Sequence, residues 1–157
     1  MIGAVPKFAA PEVQLGDILT PACDVWSLGC LLYALFSACS MFAADIGRRD
    51  TLLDIISCFG RLQDPWWGLW KGRGEYYDED GQVRPEMVRE ILPTEDLEDR
   101  LGVARSEDGL GKLQEEEYAQ FRRLMYVIFK LGPKERMAAK EAVRYLPPSS
   151  SWKVGTT

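Results

Sequence analysis

The stretch from Ala22 to Cys39 limits what this chain can fold into more than any other. Val25, Trp26, Leu28, Leu31, Leu32, Tyr33, Leu35 and Phe36 put apolar side chains on nearly every face of a helix drawn through it. Thr20 is a good N-cap and Pro21 suits the first helical position, so the start is well marked. A helix apolar all round is either a membrane span or the central helix of a larger core. This one is about 18 residues long, near the lower limit for crossing hydrocarbon. Asp24 and Ser27 near its start, and the lack of flanking topology signals, favour the buried helix. Other helices must therefore cover it, and 157 residues suffice for one domain with a real core.

The remaining pattern is also mainly α-helical. A short helical turn is expected around Glu12–Leu15. A helix is expected from Asp50 to Phe59, with Leu52, Leu53, Ile55, Ile56 and Phe59 as its stripe and Gly60 as its stop. Tyr118, Phe121, Met125 and Ile128 recur at three- and four-residue steps and predict a helix over Gln114–Leu131 that ends at Gly132-Pro133. Glu115–Glu117 at its start and Lys130 at its end suit the helix dipole. Another helix, Met137–Leu146, stops at Pro147-Pro148, and residues 148–157 are expected to form a flexible tail. Residues 61–112 differ in character: they hold Pro65-Trp66-Trp67, Trp70, Tyr76-Tyr77 and many turn residues, with room for a short helix at Pro85–Leu92. Between 75 and 117 there are 15 acidic and 5 basic residues, which reads as an acidic, solvated insert.

Composition removes whole classes of chemistry. The chain has no histidine, which rules out Ser-His-Asp and Cys-His catalysis, an HExxH zinc site and a Cys₂His₂ finger. A net charge of −5 argues against general electrostatic binding to nucleic acid or anionic lipid. Cys23, Cys30, Cys39 and Cys58 contain no CxxC pair. On one helix Cys23 and Cys30 would lie about 10 Å apart, too far for a disulfide. Reduced, buried thiols in an intracellular protein, cytoplasmic or nuclear, are the expectation. The N-terminal residues lack a signal-peptide pattern, and Gly3 is one place too late for myristoylation.

Two stretches are more specific. One is Pro6-Lys7-Phe8-Ala9-Ala10-Pro11-Glu12 followed by Asp24-Val25-Trp26-Ser27-Leu28-Gly29, and the other is Pro133-Lys134-Glu135-Arg136 followed by a short helix. Their order and spacing around an all-apolar helix resemble the C-terminal lobe of a eukaryotic protein kinase domain, from the end of the activation segment onward. The resemblance covers residues 3–60 and 113–146 and treats 1–147 as a partial lobe. Residues 61–112 resemble, loosely, the insert between helices G and H of serine/arginine-protein kinases and their MAP-kinase-like relatives. The resemblance implies that Ala22–Cys39 is helix F, Asp50–Phe59 helix G, Gln114–Leu131 helix H and Met137–Leu146 helix I. It places Val5, Pro6, Lys7, Phe8 and Ala9 in the substrate loop, and it pairs Glu12 with Arg136 as a tether between that loop and the core. It gives Asp24, Trp26 and Gly29 structural roles on helix F, with Asp24 accepting backbone N–H bonds from the catalytic loop.

The parts that hold nucleotide in that family do not occur in this sequence. No Val-Ala-Ile-Lys, His-Arg-Asp or Asp-Phe-Gly is present, and Gly72-Arg73-Gly74 fails as a Gly-rich loop because position 77 is Tyr. ATP and Mg²⁺ therefore enter by family resemblance only, and no metal ligands or catalytic residues are assigned to this chain. Val5 also stands where Ser/Thr kinases place a threonine, and it has no hydroxyl. The expectation is a partial Ser/Thr-type kinase domain, inactive alone and lacking an N-terminal kinase part, that engages protein substrates. A non-catalytic, pseudokinase-like module that binds protein partners through the same lobe is the alternative. Under it Trp66, Trp67, Trp70, Tyr76 and Tyr77 would be an exposed docking patch, although such a cluster more often packs an insert onto its own domain.

Overall fold

The computed structural model describes residues 6–42, 51–91, 95–104 and 114–145. Val5, Asp50 and everything from Leu146 onward, including the expected tail, lie outside the described residues. The chain is mainly α-helical: α1 (Pro11–Gln14), α2 (Pro21–Ser37), α3 (Thr51–Phe59), α4 (Trp66–Leu69), α5 (Arg73–Tyr76), α6 (Val88–Ile91), α7 (Leu97–Ala104), α8 (Glu115–Ile128) and α9 (Ala139–Ala142). Short 3₁₀ turns sit at 6–8, 85–87 and 143–145. Among the described residues, extended pairing is limited to a single bridge between Tyr77 and Val83. No described helix is long and apolar enough to cross a membrane.

Helix α2 is the centre of the main core. Its Trp26 is fully buried and stacks on Phe42 with 5.5 Å between ring centroids. Phe59 and Phe129 meet the same indole edge-on at 5.9 and 5.0 Å. Such offset and edge contacts suit the ring quadrupoles, so one side chain gathers α2, the end of α3 and the end of α8. Gly29, one turn further along, lets α8 approach closely. A Cβ built there would fall on Cγ2 of Ile128 and 3.0 Å from Cζ of Phe129.

The helix ends differ from the sequence reading, each for a local reason. Helix α2 stops at Ser37, not Cys39, because Ala38 turns left-handed (φ 58°) and the Ser37 hydroxyl donates back to the carbonyl of Tyr33 at 2.8 Å. Helix α8 stops at Ile128, not Leu131: Phe129 bends away (ψ 77°) and its ring enters the Trp26 cluster. Its start is a capping box, with the Gln114 N–H donating to Glu117 at 2.9 Å. The expected helix 137–146 shrinks to α9 and the turn at 143–145, since the N–H of Met137 is taken by the carbonyl of Val127 at 3.2 Å.

Residues 61–112 depart furthest from expectation. They carry four short helices among their described residues (α4 to α7), and α7 is eight residues long where the sequence reading placed no helix. Leu62, Trp66, Trp67, Trp70, Tyr77 and Ile91 pack with Leu52, Leu53 and Ile56 of α3 into a second apolar core. Helix α3 therefore serves both cores, because Ile55 and Cys58 face the first while Leu52, Leu53 and Ile56 face the second.

Two measurements test this packing. Gly29→Ala should destabilise by about 1–3 kcal/mol through overpacking against Ile128 and Phe129; an unchanged urea midpoint would refute the close approach. The four cysteines are free, with Cys39 exposed and the other three buried. That corrects the expectation of four buried thiols. Burial pushes the Cys30 and Cys58 thiols up to about 12, which leaves almost no thiolate at neutral pH. Alkylation of the native chain at pH 8 should therefore label Cys39 rapidly and the other three only on unfolding, as peptide mass mapping would show.

Candidate functional site

The candidate site is the segment 6–12 and the surfaces that hold it. Pro6–Phe8 form one 3₁₀ turn and run into α1. Ser27 of α2 anchors that turn: its hydroxyl lies 2.8 Å from the Phe8 carbonyl and 3.1 Å from that of Cys23. Gln14 reaches back to the carbonyl of Ala9 at 2.9 Å, and Lys7 lies 3.4 Å from the Ser40 hydroxyl. Ala9 and Ala10 are buried, so the loop backbone is clamped against α2.

Glu12 and Arg136, 124 residues apart, meet beneath this loop. The guanidinium donates to both carboxylate oxygens, at 2.7 and 3.2 Å. Glu12 is 1% exposed and Arg136 6%. A buried ion pair is tolerable only when its remaining donors and acceptors are also filled. Here Arg136 donates as well to the carbonyls of Ala22 (2.8 Å), Lys130 (2.9 Å) and Leu131 (3.3 Å). The Cys23 thiol adds a weak donor to Glu12 at 3.5 Å. The guanidinium carbon also lies 5.0 Å from the Trp26 ring centroid, a cation–π contact in a dry setting. One arginine thus joins α1, the start of α2 and the segment after α8.

The other residues singled out on α2 separate. Trp26 and Gly29 are buried in the core, and the Trp26 indole N–H has no acceptor among the described residues. Asp24 lies exposed on the first turn. It shares a face with Leu28, Leu31 and Leu35, at steps of four, three and four residues, and these leucines are 36%, 50% and 55% exposed. The helix is therefore not covered all round by the described residues.

Sequence reasoning missed a second buried fork. Arg100 of α7 donates to both oxygens of Asp54 on α3, at 3.1 and 2.6 Å, and to the carbonyl of Met41. The Tyr33 hydroxyl donates to the Arg100 carbonyl at 2.8 Å. The signal was present, because Asp54 interrupts the apolar run Leu52-Leu53-Asp54-Ile55-Ile56 and a buried carboxylate needs a partner.

The aromatic cluster is not an exposed docking patch. Trp66, Trp67, Trp70 and Tyr77 are all under 9% exposed and pack on one another. The Trp66 indole donates to Asp17 at 3.1 Å, and Arg61 and Arg73 lie 4.9 and 5.5 Å from Trp67. Burial in the second core consumes the surface that docking would need. No three His, Cys, Asp or Glu side chains among the described residues lie together in a way that could hold a metal ion.

Truncating the Glu12 fork leaves an uncompensated buried charge, so Glu12→Ala and Arg136→Ala should each cost about 3–5 kcal/mol. The double variant should cost clearly less than their sum. A chemical denaturation cycle showing Glu12→Ala to be neutral would contradict the tether.

No protein-family model matches the chain. Known proteins do match it in part. Ribosomal protein S6 kinase 2 alpha of Gallus gallus is 33% identical over 86 residues, covering 55% of this chain and 10% of that protein. Myosin light chain kinase family member 4 of Mus musculus is 39% identical over 59 residues, 38% of this chain and 15% of that protein. Dual specificity protein kinase lkh1 of Schizosaccharomyces pombe is 28% identical over 138 residues, 87% of this chain and 19% of that protein. The chain thus spans between a tenth and a fifth of the length of these relatives. Its mainly helical fold is consistent with these partial matches, which make the chain similar to a fragment of a protein kinase domain.

Proposed function

We propose that this chain is the helical large-lobe portion of a protein kinase domain whose family activity is ATP-dependent phosphorylation of protein Ser/Thr, and that alone it does not transfer phosphate. The uncovered face of α2 is the observation that carries this reading. A core helix that buries Trp26 on one side and leaves Asp24, Leu28, Leu31 and Leu35 in solvent on the other is half of a packing arrangement. Exposed apolar surface costs about 25 cal/mol per Å², so such a row favours a covering element. By the resemblance, helix E and the catalytic loop of an N-terminal kinase part would supply that cover. The catalytic base, the phosphate-binding lysine and the metal-binding Asp would come with that part, because no motif for them occurs in this sequence. ATP and Mg²⁺ would bind the whole domain, protein chains would be its substrates, and the compartment would be intracellular.

The clamped segment 6–12 supports a role in presenting a substrate-binding loop, with Val5 as the departure that sets this chain apart from ordinary Ser/Thr kinases. The same uncovered leucines are compatible with a second reading, a non-catalytic module that binds a protein partner there.

The isolated chain should incorporate no labelled phosphate into itself or a general protein substrate above a no-enzyme control with Mg²⁺–ATP; incorporation would overturn the proposal. The chain alone should also bind a hydrophobic dye. Replacing Leu28, Leu31 and Leu35 together by glutamine should reduce dye binding and raise solubility without lowering the melting midpoint. A monomeric, sharply melting chain that binds no dye would contradict the uncovered face and the readings built on it.

A further inference from the structure

A hollow on the outer face of α8 has no part in the reading above. It measures about 490 Å³ and is lined by Arg122, Arg123, Tyr126, Val127 and Tyr145. Arg122 and Tyr126, and likewise Arg123 and Val127, are four apart on α8, so they form two adjacent rows on one face. Tyr145 closes the hollow from the 3₁₀ turn at 143–145. We propose that this hollow binds an anionic group carried on an aromatic ring, of the aryl phosphate class.

One wall is already ordered. Arg122 donates through Nε to both oxygens of Glu98, each at 2.9 Å, and its guanidinium lies 5.1 Å from the Tyr126 ring centroid. The Tyr126 hydroxyl donates to the same carboxylate at 2.8 Å, so the phenol and the guanidinium hold each other in place. Glu98 takes up much of the Arg122 charge. Arg123 differs: it is exposed and makes no hydrogen bond or ion pair among the described residues. Its planar fork can take two oxygens of one phosphate. Val127 and the two tyrosines offer apolar and π surface for a ring in this open hollow.

Local charge points the same way. The whole chain carries −5, yet residues 118–145 hold seven basic and two acidic side chains. Of the seven, Arg136 is spent on Glu12. The segment that lines the hollow is therefore locally basic within an acidic chain. Glu98, the carboxylate on its wall, is already paired with Arg122, which leaves the Arg123 charge for an anion. A dianionic phosphate gains more from that field than a carboxylate does.

The test is titration of the full chain with phenyl phosphate, followed by calorimetry or NMR, with inorganic phosphate and phenol as single-feature controls. The expected result is saturable binding of phenyl phosphate, tighter than either control and weakened about tenfold by Arg123→Gln. That variant removes an exposed side chain, so its melting midpoint should match the parent. Competition by a phosphotyrosine peptide would support the site and assign its ligand to a protein side chain. Competition by free aryl phosphates alone would support it as a small-molecule site. Absence of saturation, equal binding of inorganic phosphate, or indifference to Arg123→Gln would overturn it.

Discussion

A single buried guanidinium holds the two ends of the described chain together. Arg136 fills its donors with the Glu12 carboxylate and three carbonyls, and lies over Trp26 as it does so. A charge so far from water is stable only with every donor matched. Its partners therefore become constraints on the backbone: α1 must pass above it, α2 must begin beside it, and the chain after α8 must turn its carbonyls inward. Fixing those three elements also fixes the segment 6–12 against α2, where Ser27 holds the Phe8 carbonyl.

The second fork repeats this logic away from the candidate site. Asp54 and Arg100 tie α7 to α3, and the Tyr33 hydroxyl connects that pair back to α2. Each fork lies where helices too short to be stable on their own meet a long one. Helices of four to nine residues gain little from propensity, so tertiary contacts must hold them. The aromatic packing of residues 61–112 against α3 serves the same purpose, and it turns a stretch rich in charge and turns into a second core.

How much was legible in the sequence depended on the range of the interaction concerned. Helices α2, α3 and α8 were readable because their apolar residues recur over two turns or more, with Thr20-Pro21 marking the start of α2 and Glu115–Glu117 that of α8. The fold class followed from them. Helix α7 was not readable, since Leu97 and Leu101 are the buried apolar residues among its described side chains and Arg100 finds its partner, Asp54, 46 positions away. The aromatic cluster reads more readily as packing the insert onto its own domain than as an exposed patch, and its burial agrees, though composition does not say which face a tryptophan finds. Asp24 is the instructive contrast with Asp54. Both are acids within apolar runs, yet one is exposed on the first turn of its helix and the other is buried and paired.

The sequence by itself determined that the chain is mainly helical, that its apolar stretch after Thr20 forms the long central helix, and that this chain supplies no histidine. It also placed the motif residues in the order that resembles a kinase lobe. Only the tertiary structure decided where α2 and α8 end, that Arg100 is buried, and which face of α2 stays uncovered. The physical reason is one of range. Helical periodicity and capping act over three or four residues, whereas burial and charge pairing depend on groups that only the completed fold brings within a few ångströms.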